Sequence, residues 1–142
     1  MPITSERRAE LLTACPLFRG IAADGIASLA GRATEVTFPA GHVIARQGEI
    51  GTGFFIVISG LVRVVRDGIV LAHLGPGEFF GELSILDGQP RNAMVAAETA
   101  TECLALASWD FEATLLANPS LGLAILRGVA TRLRDATEAI RH

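Results

Sequence analysis

Lysine is missing from this chain, and all twelve basic residues are arginine. A P-loop lysine, a Schiff-base lysine and a lysine general base are therefore impossible, which excludes several enzyme classes at once. Cysteine is scarce. Cys15 and Cys103 are too few for a disulfide scaffold or an iron–sulfur ligand set and form no Cys-x-x-Cys pair, so a reduced, cytoplasmic setting is expected. No stretch of roughly 18 residues is apolar and free of charge. The opening residues carry Glu6, Arg7, Arg8 and Glu10 where a secretory signal needs an apolar run, so neither export nor a membrane span is expected. Charged residues make up only 19%, with a formal net charge of −3 and a pI of about 5.6. That balance argues against nucleic acid or an anionic membrane as the main partner.

What is present is apolar: half of the 142 residues are hydrophobic and mean hydropathy is +0.43, which excludes a disordered chain. The length suits a single domain, 1–142, divided into N-terminal helices (1–32), a β-barrel (33–107) and C-terminal helices (108–142). Ser5 to Ala14 reads as a helix capped by Ser5 and stopped by Pro16. Ile21 to Arg32 reads as a second, with Asp24 as its cap. From Thr34 to Leu106 the apolar period is two, punctuated by Gly and Pro, as in a barrel or sandwich of short strands. Leu61 to Arg66 and Ile69 to Leu74 form a hairpin through Asp67-Gly68, a pair suited to a type I′ turn. Phe54 to Ile58, Ala93 to Ala97 and Glu102 to Ala107 complete the strand set. Phe54, Phe55, Phe79 and Phe80 are expected in the core or barrel wall.

After Ser108, the expected cap of a helix that ends at Asn118-Pro119, the period returns to 3.6. A longer helix, Ser120 to Ile140, carries Leu121, Ile125, Val129, Leu133, Ala136 and Ile140 on one stripe. Leu123, Leu126 and Ala130 lie off it. That surplus of apolar surface, beyond one barrel contact, predicts a homodimer joined along this helix.

One stretch breaks the strand pattern: Phe80 to Val95, FGELSILDGQPRNAMV. Gly81-Glu82 opens a single helical turn through Leu83 to Leu86, an Asp87-Gly88 turn follows, and Pro90-Arg91 returns. Free N–H groups at a helix start favour anions, and the planar fork of Arg91 fits phosphate oxygens. Glu82 would repel a phosphate unless it faced a hydroxyl pair such as that of a ribose. A surface ion pair between Glu82 and Arg91, or a helix-start role for Glu82, is the simpler reading of the same residues. Together the two residues point to a sugar phosphate.

On these residues the chain resembles the cyclic nucleotide-binding domain family, as found in sensor domains of catabolite activator-like regulators. The matching marks are Pro16-Leu17-Phe18, Phe38-Pro39-Ala40-Gly41, Gln47-Gly48-Glu49, Phe54 to Gly60, Gly75-Pro76-Gly77, Phe80-Gly81-Glu82-Leu83 and Pro90-Arg91. The resemblance implies a mainly β fold with flanking helices, an antiparallel barrel or jelly roll with a C-terminal helix pair. It implies a phosphate-binding segment at 80–93, in which Glu82 takes the ribose 2′-OH, Arg91 the phosphate, and the backbone around Gly81, Leu83 and Ala93 supports both. Phe80 is counted with this segment, and Val62 and Leu71 are expected to line the purine. Asn92 stands where the family has Ala, Ser or Thr, and is either a turn residue or a base reader. Thr52 stands where Asp is frequent and is expected to alter a turn. Arg132-Leu133-Arg134-Asp135-Ala136-Thr137 falls where activators meet the purine and the partner chain. Arg132 and Thr137 are therefore candidate contacts, a solvated helix face being the plainer reading of the arginines.

The expected function is that of a non-enzymatic cyclic nucleotide sensor, with cyclic AMP as ligand and cyclic GMP as the alternative. It needs no cofactor, no metal and no nucleic-acid contact from this chain. Its rival is the sensing half of a transcription regulator whose DNA-binding domain is absent here. A metal-dependent cupin-like barrel is the enzyme-class reading, but His42 and His73 form no His-x-His pair.

Overall fold

The computed structural model describes residues 3–50, 53–81 and 90–141. Helix α1 (Ser5–Ala14) is capped by Thr4, whose side chain accepts from the Arg7 N–H at 3.1 Å, and not by Ser5. A hydroxyl one residue earlier is already extended and reaches back to the first turn. A 3-10 turn, Pro16–Phe18, follows, and α2 (Ala23–Arg32) starts two residues later than the sequence suggests. Asp24 lies inside its first turn and bonds its own neighbour, the Gly25 N–H, so it is not the cap.

Among the described residues, eight strands form two antiparallel four-stranded sheets. Labelled in chain order they are β1 (Thr34–Phe38), β2 (Val43–Ala45), β3 (Gly53–Ser59), β4 (Val62–Arg66), β5 (Ile69–Leu74), β6 (Phe79–Phe80), β7 (Met94–Ala97) and β8 (Thr101–Ala107). One sheet runs β1-β8-β3-β6 and the other β2-β7-β4-β5, the jelly-roll architecture expected. The β4–β5 hairpin turns through Asp67 (φ 53°) and Gly68 (φ 79°), both left-handed as a type I′ turn requires.

Alternation along β3 sorts its side chains into two cores. Phe54 and Ile56, with Leu104 and Leu106 of β8, face the helices and pack on Leu12, Leu17, Phe18 and Leu29. Val57 and Cys103 face the other way and meet Ala45, Val62, Phe80 and Val95 between the sheets. The same division holds in β6, where Phe79 packs on the helix side against Phe54 and Phe80 stacks on Phe55 inside the barrel.

Helix α3 (Ser108–Ala117) has Ala107 at its N-cap position, with no side-chain bond, so Ser108 is its first residue and not its cap. Helix α4 (Pro119–Arg141) leaves it at 115°. The first half of α4 is packed, with Leu121 and Ile125 buried and Val129 partly buried against the same core, while residues 130–139 are exposed. Among the described residues no single helix is long and apolar enough to cross a membrane.

Candidate functional site

The site is built around Arg91, in the connection entering β7. Its backbone is held from both sides by the loop after β2: the Arg91 N–H donates to the Glu49 carbonyl, and the Gly48 N–H donates to the Arg91 carbonyl, each at 2.8 Å. Pro90 bridges Ile50 beside them. The side chain is half-buried and turns toward the start of β3, where Nη2 donates to the Gly53 carbonyl at 3.0 Å. A guanidinium whose backbone and fork are both held this way is pre-positioned, which lowers the entropy lost on gripping an anion.

Gly81 closes the other side. It follows β6 with φ at +92°, and a Cβ there would overlap the Gly53 carbonyl and stand 3.1 Å from Arg91 Nη1. Backbone thus approaches the guanidinium where any side chain would intrude. Three chain segments, at Gly53, Gly81 and Arg91, converge on one cationic point.

The other candidate residues are distributed unevenly. Phe80 is buried in the core between the sheets and stacked on Phe55 with ring centroids 5.0 Å apart. Asn92 is exposed and Ala93 half-buried just before β7. Val62 is fully enclosed between the sheets, a core position. Leu71 is 52% exposed on β5. Arg132 does not join Arg91 in any described contact; its guanidinium carbon lies 5.2 Å from the centroid of the Phe79 ring, a cation–π contact. Thr137 is exposed, with its hydroxyl donating to the Leu133 carbonyl of its own helix. Glu82, Leu83, the helical turn, the Asp87-Gly88 turn and Thr52 lie outside the described residues. His42 stacks on Phe38 and His73 pairs across the hairpin with Arg63.

Two participants were not singled out from sequence. Gly53 offers only a carbonyl, which no residue type announces. Phe79 reads from the sequence as a packing residue, and its contact with Arg132 depends on where α4 lies.

The family model described as cyclic nucleotide-binding domain matches residues 35–118. A cyclic nucleotide-gated potassium channel from Mesorhizobium japonicum is 37% identical over 130 residues, covering 92% of this chain and 36% of the channel. The cyclic AMP receptor protein of Thermus thermophilus is 36% identical over 126 residues, covering 85% of this chain and 58% of that protein. This chain thus spans less than two thirds of the length of either curated relative. Among solved structures, the N-terminal domain of a transcriptional regulator from Streptomyces coelicolor A3(2) superposes with a TM-score of 0.81 at 36% identity, covering 92% of this chain and 94% of that one.

Proposed function

This chain belongs to the cyclic nucleotide-binding domain family, and on that footing we propose that it is a non-enzymatic receptor for a cyclic nucleotide, cyclic AMP in the first place. The observation that carries the reading is the convergence of Gly53 and Gly81 on the Arg91 guanidinium. A cyclic phosphodiester is a compact monoanion, and a half-buried arginine fork binds two of its oxygens in one plane. The absent side chain at Gly81 lets its backbone pack on the Gly53 carbonyl beside the guanidinium, which holds the phosphate end of the site together. Glu82, the next residue, supplies the carboxylate that accepts from the ribose 2′-OH. The Thermus relative is named for cyclic AMP, which supports that ligand over cyclic GMP.

Binding becomes a signal by population shift. Phe79 and Phe80 run directly into Gly81, and Arg132 of α4 rests on Phe79, so a ligand held at Gly81 and Arg91 is felt by the C-terminal helix. That helix also offers an interface. Leu123, Leu126, Ala130 and Leu133 follow a three-four spacing along α4 and are all exposed, which supports a two-fold pairing of α4 helices. In such a pair Thr137 lies near the partner's pocket. A second reading, the sensing half of a transcription regulator, draws support from the Streptomyces likeness.

Calorimetric titration with cyclic AMP, cyclic GMP and 2′-deoxy cyclic AMP tests the reading. Saturable binding of cyclic AMP is expected, with the 2′-deoxy ligand and the Glu82→Gln variant each losing about 1–3 kcal/mol. Equal affinity for the deoxy ligand would return Glu82 to a helix-start acid. No saturable binding of either natural nucleotide would overturn the proposal.

A further inference from the structure

The loop after β2 and the β4–β5 hairpin are joined by one side chain. Gln47 Nε2 donates to the Asp67 carboxylate at 2.9 Å, and the Asp67 N–H donates to Gln47 Oε1 at 3.1 Å. Both ends of a single amide are therefore spent on one turn residue, which sits in the left-handed region as the first of the two residues of the hairpin turn. An amide is the side chain for this task, because it donates and accepts within one plane.

The same loop holds Arg91. Gly48 and Glu49, the two residues after Gln47, make the paired backbone hydrogen bonds to Arg91 described above. Three consecutive residues thus grip the hairpin with the first and the arginine with the second and third. The hairpin in turn carries Leu71. Val64 pairs with Ala72 and Val65 with Val70, which leaves Leu71 as an extra residue in β5. A bulge of this kind re-aims a side chain out of the regular pleat.

We propose that Gln47 is a positioning residue for base recognition: it fixes the Leu71 hairpin relative to Arg91, so that the base end and the phosphate end of one ligand are read by a single frame. This rests on the cyclic nucleotide reading above. Loss of the clamp leaves Arg91 on Gly53 and β4 on β7 but unties the hairpin turn from the Arg91 loop, so the base contact suffers and the phosphate contact does not. Gln47→Ala removes both hydrogen bonds. Gln47→Glu turns one of them into a carboxylate facing the Asp67 carboxylate. Asp67→Asn keeps an acceptor for Gln47 and tolerates the left-handed backbone.

The test is competition against labelled cyclic AMP on the full chain, with cyclic AMP and the small-base ligand cyclic UMP as competitors. Gln47→Ala is expected to weaken cyclic AMP roughly three- to tenfold and Gln47→Glu at least as much, with cyclic UMP held within about twofold. Asp67→Asn is expected to stay within about twofold of wild type for both ligands. A Gln47→Ala variant that binds both ligands as wild type does, or loses both equally, would overturn the positioning role while leaving the receptor reading intact. If wild type captures no labelled cyclic AMP at all, the receptor reading falls and this role falls with it.

Discussion

At Gly81 a methyl group has nowhere to go, since it would meet the Gly53 carbonyl while the backbone holds a φ of +92°. Left-handed strain on an L residue costs about 1–2 kcal/mol before any overlap is counted. Gly81→Ala is therefore expected to lower stability in urea unfolding by roughly 1–3 kcal/mol and to weaken cyclic AMP binding more than tenfold. Unchanged unfolding and binding would mean that Gly81 is not pressed against Gly53. Cys103 illustrates a different residue-scale effect. Burial between the sheets pushes its thiol up to about 12 from an ordinary 9.0. The folded state then keeps a proton that the unfolded chain gives up, so the stability from this group is complete below about pH 9 and is lost as pH rises toward 12. Lysine and tyrosine, the usual titrating groups of that range, are both absent, and the comparison with Cys103→Ala separates this thiol from Cys15. Urea midpoints measured from pH 8 to 11 should fall for wild type and fall less for Cys103→Ala; identical slopes would contradict the assignment.

At the scale of elements, legibility followed local chemistry. The β4–β5 hairpin could be read because Asp67-Gly68 states its own turn geometry, and β3 because an apolar run ends at Ser59-Gly60. β2 and β6 have three and two residues and owe their state to pairing with β7 and β3, partners remote in sequence. The caps are Thr4, Ala22 and Ala107, a residue or two before Ser5, Asp24 and Ser108, since the cap depends on which residue is extended and not on which could accept a hydrogen bond. α4 is the element whose stripe outruns its packing. Its exposed leucines predict that the full chain sediments as a dimer at tens of micromolar, and that Leu126→Glu with Leu133→Glu sediments as a monomer. Both substitutions fall on side chains 67% exposed, so Leu121 and Ile125 keep the helix on the core. A monomeric wild type would remove the pairing and leave these leucines to another partner.

For the molecule as a whole, two sheets and a cap of helices bring residues from distant stretches of chain to one cationic point. The sequence pointed to Arg91 through the resemblance of Phe80-Gly81-Glu82-Leu83 and Pro90-Arg91 to the cyclic nucleotide-binding family, since the residue types alone also suit a surface ion pair. The support behind Arg91 was not legible: it consists of carbonyls of Gly53 and Glu49 and an N–H of Gly48, groups every residue has, placed by sheet pairing alone. We propose that Arg91 is where the ligand's phosphate binds. Its most direct test is calorimetric titration of cyclic AMP into wild type and Arg91→Ala side by side, with an unfolding curve for each. Removing the charged partner is predicted to cost about 3–5 kcal/mol, or roughly 10²- to 10³-fold or more in affinity, while the variant still unfolds cooperatively. A folded Arg91→Ala variant that binds within threefold of wild type would contradict it.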